Sequence, residues 1–365
     1  MIQLNDLLAR VRPHQDQLAK CTQRVVSSGV FILGPEVDSF EQLFAAYIGS
    51  GHCVSVANGT DAIEIGLRSL GVKQGDQVAT VANAGMYTTT AILAIGAVPY
   101  FMDVDLETMV VTLDEVNKAI INGVDAIVVT HLYGLAIPEM EDIAAVAKQN
   151  EIPLLEDCAQ AHGAMSGEKI VGTFGNVGTF SFYPTKNLGA LGDGGAICTN
   201  DYAVATNAKR LRQYGWKAKY SVELIGARNS RLDELQAAIL SYFLPMLDSA
   251  NSTRQEIAKI YCSDFNHSDV RVCSSHGKSH VAHLFVVRSK NRESLKGHLH
   301  KMGVNSDIHY PILDYQQVTI AGHYKQLSLE NSEILAREVL TIPCYPELSQ
   351  EAIRVVVDAV NSWVP

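Results

Sequence analysis

Several features that would assign this chain to a particular class of protein are missing from its sequence. The cysteines at positions 21, 53, 158, 198, 262, 273 and 344 are odd in number and form no Cys-x-x-Cys pair. Reduced thiols are therefore a simpler interpretation than a disulfide framework. No apolar run approaches the roughly 20 residues of a membrane span, and the polar start at residues 1–6 lacks the apolar segment of a signal peptide. We expect a cytoplasmic protein with no membrane partner.

Positive charge is also scarce. Lys and Arg number 29 against 39 Asp and Glu, for a net charge of −10, and no basic run offers a binding stripe for nucleic acid. The twelve histidines are dispersed, and the pair His298 and His300 is badly spaced for one helical face. We therefore expect neither a nucleic-acid partner nor a metal site.

The composition that remains is that of a large globular protein. The chain has 365 residues, of which 47% are hydrophobic and 19% charged, enough for a large core and two packed units. Between residues 50 and 200, apolar runs alternate with helical patterns, which favours a mostly parallel sheet covered on both faces. Strands are predicted at residues 53–57, 78–82, 98–104, 126–131, 153–157, 179–183 and 195–199, and helices at 61–70, 113–121 and 140–149.

The pattern changes in the last third of the chain. Residues 232–265 form one long helical stretch interrupted by Pro245, where we expect a bend. A strand is predicted at 280–287 and helices at 293–302 and 351–363. These elements indicate a large α/β domain over residues 1–240 and a smaller α+β domain over residues 241–365.

One lysine and one aspartate carry the strongest chemical signal. Lys186 follows a predicted strand inside a Pro turn and a run of glycines, and Asp157 ends another predicted strand. A lysine amine can hold the aldehyde of pyridoxal phosphate as a Schiff base, and a carboxylate can keep the pyridine nitrogen protonated. Taken singly, Asp157 is also a plausible helix N-cap, and most lysines are simply solvated.

Other segments fit the same cofactor. Gly59 and Thr60 stand between a strand and a helix, where backbone N–H groups and a hydroxyl can bind phosphate. Ordinary N-capping by this Asn-Gly-Thr-Asp segment is the alternative. Ser181 is a second phosphate ligand in this interpretation. Gln160 either bonds the ring hydroxyl of the cofactor or continues a cap at Asp157. A nicotinamide-dependent dehydrogenase is disfavoured because no G-x-G-x-x-G follows a first strand.

Together these segments resemble the DegT/DnrJ/EryC1/StrS family of pyridoxal-phosphate-dependent sugar aminotransferases. The matching text is NGTDA at 58–62, HLYG at 131–134, EDCAQAHG at 156–163, FSFYPTKNLG at 180–189, GDGG at 192–195 and NSRLDE at 229–234. The resemblance implies aminotransferase fold type I, like aspartate aminotransferase: a large domain with a mixed, mostly parallel sheet and a smaller α+β C-terminal domain.

The resemblance also implies residue roles. Lys186 becomes the Schiff-base lysine and proton shuttle, Asp157 the partner of the pyridine nitrogen, and Gln160 the partner of the ring hydroxyl. Gly59, Thr60 and Ser181 hold the phosphate. Asn229 reaches the phosphate in the neighbouring subunit, so that a homodimer shares its active sites. L-Glutamate is the implied amino donor and a keto sugar the acceptor.

Two departures from the family pattern concern the substrate. Gly85 stands where relatives carry an aromatic residue that stacks on the cofactor, and Tyr87 is our candidate to replace that ring, unless it packs within the following helix. Tyr315 stands where relatives commonly have histidine. Tyr183, His309 and Tyr310 are candidate substrate residues, although His309 and Tyr310 equally suit a buried structural pair.

Three functions remain open at the level of sequence. The altered turn at 83–88 favours an uncommon substrate, an 8-oxo octulosonate aminated to 8-amino-3,8-dideoxy-manno-octulosonate for lipopolysaccharide. The Lys-Asn-Leu-Gly-Ala text favours amination at C3 of a dTDP- or UDP-linked keto sugar. A non-catalytic regulator that binds pyridoxal phosphate is the alternative from another class, and the intact lysine argues against it.

Overall fold

The elements of the chain are those of a layered α/β protein. The computed structural model describes residues 1–272 and 277–365, so Cys273 lies outside the described residues. The helices are α1 Leu7–Val11, α2 Gln15–Ser28, α3 Pro35–Ile48, α4 Gly59–Ser69, α5 Tyr87–Ile95, α6 Leu113–Ile121, α7 Met140–Gln149, α8 Tyr202–Leu211, α9 Glu234–Phe243, α10 Leu247–Asp264, α11 Arg292–Lys301, α12 Glu330–Glu338 and α13 Gln350–Asn361. The strands are β1 His52–Val56, β2 Gln77–Val81, β3 Val98–Met102, β4 Ala126–Thr130, β5 Leu154–Asp157, β6 Met165–Ser166, β7 Lys169–Ile170, β8 Val177–Ser181, β9 Gly195–Thr199, β10 Trp216–Ala218, β11 Ser221–Val222, β12 Arg271–Val272, β13 Phe285–Arg288 and β14 Val339–Ile342.

The main sheet has the strand order β1-β9-β8-β5-β4-β2-β3. Strand β9 pairs antiparallel with β1 and β8, and the pairs from β8 through β5, β4 and β2 to β3 are parallel. The predicted mixed, mostly parallel sheet is therefore confirmed. Because β2, β4, β5 and β8 run in one direction, their carboxyl ends meet at the same edge of the sheet.

Helices cover both faces of this sheet. Alternate residues of β4 enter different cores: Ile127 and Val129 pack in one apolar cluster, and Ala126 and Val128 in another. This two-sided burial explains why the central strands are continuous apolar runs without polar alternation. A third cluster, rich in phenylalanine, lies under α3 and α9.

Helix boundaries follow the local sequence. The side chain of Asn58 accepts a hydrogen bond from the Asp61 N–H at 2.8 Å and so starts α4, as capping residues do. The predicted interruption at Pro245 is confirmed, because a short 3₁₀ turn over Leu244–Met246 separates α9 from α10. The ring of Pro245 lacks the N–H that a continuous helix needs at this point.

Strands β12, β13 and β14 form a second, antiparallel sheet. Helices α10, α11 and α13 enclose its core, which includes Tyr261 and Trp363, and the two helices predicted near 293–302 and 351–363 are confirmed as α11 and α13. The strand predicted over 280–287 begins only at Phe285. Ala282 has a left-handed φ of 44°, and the N–H groups of Val281 and Leu284 donate to the carbonyls of Gly134 and Tyr133.

The cysteines and the helices give two further findings. The six described cysteines are free thiols, and all except Cys262 are buried. Within residues 1–272 and 277–365, no helix combines the length and apolar content that crossing a bilayer requires.

Candidate active site

A cleft of about 650 Å³ opens where β4, β5 and β8 end and α4 begins. Among the predicted site residues, it is lined by Gly59, Thr60, Tyr87, Asp157, Gln160, Ser181, Tyr183, Lys186, His309 and Tyr310. These residues come from positions 59 to 310 of the chain. The structure therefore brings together every predicted site residue except Asn229.

Lys186 lies in a tight turn just beyond β8. Its N–H donates to the carbonyl of Tyr183 at 2.9 Å. The Arg10 guanidinium supports the same turn from behind by donating to the carbonyls of Pro184 at 3.0 Å and Gly189 at 2.8 Å. Desolvation lowers the pKa of the Lys186 amine to about 8, although the negative charge of Asp157 acts against this shift. About a tenth of the amine is therefore unprotonated at pH 7.

Asp157 ends β5 with a buried carboxylate. One oxygen accepts from the Ala159 N–H at 3.0 Å and the other from the Thr88 hydroxyl at 3.2 Å. Desolvation raises the pKa of this carboxyl, against the hydrogen bonds and the nearby Lys186. The alternative of a helix N-cap is wrong, because turns and no helix follow over residues 158–164. Thr88 is a partner that the sequence did not reveal.

The start of α4 closes tightly against Ser181. A Cβ atom on Gly59 would lie 2.7 Å from the Cβ of Ser181, so this approach requires glycine. The N-capping alternative is also correct, since Asn58 caps Asp61. Within the part of the chain that the structure describes, the N–H groups of Gly59 and Thr60 keep no protein acceptor. This concave helix start next to a hydroxyl suits an anion.

Gln160 links the chain after β4 to Tyr310. Its Oε1 accepts from the Tyr133 N–H at 2.6 Å, and its Nε2 donates to the Tyr310 hydroxyl at 3.2 Å. It does not continue a cap at Asp157. The Tyr133 hydroxyl donates to the carbonyl of His309, so the segment at 309–310 is held to the end of β4.

The glycine at position 85 has a direct structural reason. Gly85 has a left-handed φ of 79°, and a Cβ there would lie 2.8 Å from the ring of Tyr310. The Tyr310 ring therefore occupies the space beside position 85. Tyr87 begins α5 with 52% of its surface exposed, and its ring meets that of Tyr310 edge-on at 6.1 Å. Tyr87 thus lines the cleft and is not enclosed within its helix.

Residues 309–315 divide between the cleft and the core. His309 lines the cleft, and its Nδ1 lies 2.9 Å from the Thr341 hydroxyl. Tyr315 is directed away from the cleft: its hydroxyl donates to Glu333 at 2.8 Å, and its ring contacts that of Phe101 at 6.0 Å. The departure at Tyr315 therefore lies outside the site.

Asp314 fastens this segment to the loop after β2, a role that sequence reasoning missed. Its carboxylate accepts from the Met86 N–H at 2.8 Å and from the Thr89 hydroxyl at 2.5 Å. Burial raises the pKa of the Asp314 carboxyl from its ordinary 3.8 to about 6. Because Tyr310 is four residues before Asp314, Asp314 helps to fix the wall of the cleft.

Asp314 gives the fold a testable pH dependence. A raised folded-state pKa favours the protonated carboxyl, so this contribution to stability is complete below pH 4 and is lost as the pH rises through about 6. Relative to Asp314→Asn, the wild type should lose about 3 kcal/mol of unfolding free energy across that interval. Urea unfolding of both proteins at several pH values measures the difference. A difference that stays constant from pH 4 to pH 7 would contradict this role.

Asn229 does not line the cleft; it is exposed and forms a β-bridge with Gln213. The adjacent Arg228 pairs with Asp61 at 2.8 Å and with Glu64. Arg231 lies over the ring of Tyr214, 5.8 Å from its centroid. The side chain of Arg228 is therefore engaged in ion pairs with α4.

Directly behind Asp157, the side chains of His131, Glu156 and Cys158 lie close enough together for a metal ion. The side chains of His131 and Glu156 are already engaged in hydrogen bonds. Glu156 accepts from the N–H groups of Gly172, Phe174 and Gly175 at 2.7–2.8 Å and from His131, whose other ring nitrogen accepts from the Ile137 N–H. Burial raises the pKa of the Cys158 thiol well above its usual range. The cluster supports the sheet edge beneath the site.

Known proteins resemble this chain along its whole length. Residues 14–361 match the DegT/DnrJ/EryC1/StrS aminotransferase family. The dTDP-3-amino-3,6-dideoxy-alpha-D-galactopyranose transaminase of Aneurinibacillus thermoaerophilus is 42% identical over 100% of this chain and 99% of its own. A pleiotropic regulatory protein of Geobacillus stearothermophilus is 38% identical over 100% and 98%. The crystal structure of S. venezuelae DesV in complex with a ketimine intermediate has a TM-score of 0.95 at 36% identity and covers 99% of this chain and 98% of its own.

These likenesses confirm the predicted fold type I architecture, the enzyme class and the cofactor. The DesV structure shares the architecture almost completely, and another structural neighbour, ntda of Bacillus subtilis, has bound cofactor pmp. The chain is a pyridoxal-phosphate-dependent sugar aminotransferase and belongs to the DegT/DnrJ/EryC1/StrS aminotransferase family.

Proposed function

We propose that the enzyme transfers the amino group of L-glutamate to the C3 carbonyl of a nucleotide-linked keto sugar. The observation that carries this proposal is the full-length likeness, at 42% identity, to a relative named as a transaminase for a dTDP-linked 3-amino sugar. The cleft supports it, because an amine with a pKa of about 8 faces a buried carboxylate there.

The residues of the cleft fit pyridoxal phosphate. The free N–H groups at the start of α4 and the Ser181 hydroxyl would bind the phosphate. Position 59 lies so close to Ser181 that it has no room for a side chain. Burial of the Asp157 carboxylate disfavours its charge, and a protonated pyridine nitrogen would supply the missing cation. Gln160 would offer its amide to the ring hydroxyl. These assignments extend the roles implied by the sequence.

Lys186 would carry the protons of the reaction. When bound, pyridoxal phosphate supplies the carbonyl that takes up the amino group and the electron sink that stabilises the deprotonated carbon. The Nζ atom of Lys186 would accept the proton that leaves the α-carbon of glutamate and would hold it. In the second half-reaction, Nζ would deliver a proton to the former carbonyl carbon of the sugar. The desolvation that lowers its pKa to about 8 keeps this amine available as a base.

The outer wall of the cleft would receive the sugar. Tyr183, with 52% of its surface exposed, stands at the mouth, and His309 and Tyr310 form the side contributed by the C-terminal part of the chain. We assign Tyr87 to the covering of the cofactor ring. The Tyr310 ring, packed on Gly85, narrows the cleft beside it.

A second copy of the chain would complete the site. Phe31 and Ile32 are 50% and 44% exposed, and their segment bonds to the start of α9. Leu191 is 49% exposed and also bonds to α9, through Gln236. Exposure of these apolar side chains to water is unfavourable. A homodimer would bury them and bring Asn229 to the phosphate in the neighbouring site.

Complementation tests the shared site. Lys186→Ala and Asn229→Asp should each inactivate the enzyme when expressed alone. In a heterodimer of the two variants, one site combines the intact Lys186 with the intact Asn229 of the other chain. Random pairing should therefore restore about a quarter of wild-type activity. Purified heterodimer without activity would contradict a shared site, provided that both chains are folded and dimeric by sedimentation.

Two other functions remain as outcomes of a substrate panel. The octulosonate prediction is less favoured, because the relative with 42% identity is named for a dTDP-linked substrate. A regulatory role draws support from the name of one relative. The panel offers a dTDP- and a UDP-linked 3-keto sugar and the 8-oxo octulosonate, each with glutamate. Amination of a nucleotide-linked sugar supports the proposal, and amination of the octulosonate alone rejects it. A folded protein that binds the cofactor but never reacts with glutamate would indicate the regulator.

A further inference from the structure

His283 is a buried histidine of the cleft to which no role has been assigned. It lies in the irregular segment before β13, only 6% exposed, and lines the same cavity as Lys186. The left-handed Ala282 and the bonds of Val281 and Leu284 to the chain after β4 fix this segment in place. His283 is therefore held at the wall of the cleft from both sides.

The surrounding amides determine which ring nitrogen of His283 carries the proton. The carbonyl of His162 accepts from Asn251 Nδ2 at 2.8 Å, so Asn251 turns its Oδ1 toward Asn187. Asn187 Nδ2 donates to that oxygen at 2.8 Å and to the Val281 carbonyl at 3.0 Å. The remaining Asn187 Oδ1 can only accept, and it lies 3.0 Å from His283 Nδ1. Hence Nδ1 carries the proton, and Nε2 presents a bare lone pair.

The ring also stays neutral. Burial, together with the positive charges of Lys186 and Arg254, holds the pKa of His283 well below its usual 6.5. Across the described residues, 1–272 and 277–365, Nε2 has no hydrogen-bond partner, and it is not among the fully enclosed atoms that lack one. Nε2 is thus an unpaired hydrogen-bond acceptor that faces the cleft.

The two substrates of the proposed reaction differ in what they offer to such an atom. Glutamate brings carboxylates, which only accept hydrogen bonds, and its single amino group is the group being transferred. A keto sugar brings hydroxyl donors beside its carbonyl. A neutral hydrogen-bond acceptor near Lys186 therefore favours binding of the sugar and does not favour binding of glutamate.

We propose that His283 Nε2 accepts a hydrogen bond from a hydroxyl of the acceptor sugar next to the carbonyl that Lys186 serves. His283 is then a specificity residue for the second half-reaction. This inference rests on the proposed function, because it requires a sugar in the cleft. It needs no particular nucleotide on that sugar.

Two variants separate the nitrogens of the ring. In His283→Asn, the side-chain amide takes the place of Nδ1–H and keeps the bond to Asn187, while Nε2 is lost. In His283→Gln, the longer side chain returns an acceptor near the position of Nε2. Each half-reaction is measured alone: the glutamate step by the loss of visible cofactor absorbance, and the sugar step by its return.

The expected result is a split between the two steps. His283→Asn leaves the glutamate step within about twofold of wild type and lowers kcat/KM for the sugar about 10- to 100-fold. His283→Gln recovers part of that loss. An acceptor that lacks the hydroxyl beside its carbonyl should react equally with wild type and His283→Asn. Equal losses in both steps, or no loss in either, would overturn the inference. Failure of the wild type to react with glutamate would instead reject the proposed function itself.

Discussion

Replacing Lys186 with alanine abolishes amino transfer while the protein stays folded. The loss should be about 10⁴-fold in kcat/KM, because both proton transfers of the cycle lose their base. The substitution should not destabilise the fold, since burial already disfavours the charged amine and lowers its pKa to about 8. Steady-state assays with glutamate and a keto sugar, together with circular dichroism and thermal unfolding, measure both effects.

Lys186→Arg is the matched control for charge. It keeps a cation next to Asp157 but offers no neutral amine, so it should be as inactive as alanine. A small primary amine added to the alanine variant should restore part of the proton transfer. Either variant retaining more than about 1% of wild-type kcat/KM would show that another group moves the protons.

Asp157→Asn has the second-largest expected effect. The variant keeps the size of the side chain but removes the charge that would face the pyridine nitrogen, and kcat/KM should fall about 10²- to 10³-fold. The hydrogen bond from Thr88 can persist to the amide oxygen, so loss of that contact does not explain the effect. The same assays measure it, and near-wild-type activity would contradict the assignment.

In the protein without cofactor, the same substitution should increase stability against unfolding. Desolvation raises the pKa of the Asp157 carboxyl, so the folded state favours the protonated form, and its contribution to stability is lost as the pH rises. Asp157→Asn should then be more stable than the wild type at neutral pH, and the gain should disappear below pH 4. Thermal unfolding of both proteins across this range tests the sign. A variant that is less stable at neutral pH would indicate a structural role for the charge.

Most of the fold was predictable because its elements are locally encoded. The predicted helices at 113–121 and 140–149 coincide with α6 and α7, where the apolar period is clear. The strand predicted at 280–287 was wrong at its start, because long-range hydrogen bonds to residues 133 and 134 hold that segment in an irregular conformation. A pattern of apolar residues carries no information about such partners.

The site residues also divide into those that the sequence predicts and those that it does not. Asp157, Ser181 and Lys186 end neighbouring parallel strands or follow them directly, so topology alone brings them together. Thr88, His283 and Asp314 contribute through contacts with segments up to 228 residues away. The only sequence signal for this packing was Gly85, whose missing side chain makes room for Tyr310.

The most direct test of the account follows the nitrogen itself. Wild-type enzyme with pyridoxal phosphate, ¹⁵N-glutamate and a nucleotide-linked 3-keto sugar is analysed by mass spectrometry, with Lys186→Ala in parallel. We expect a sugar that carries ¹⁵N at C3, an equal amount of 2-oxoglutarate, and neither product from the variant. A labelled amino sugar formed at an undiminished rate by Lys186→Ala, or a wild type that leaves all the label in glutamate, would contradict it.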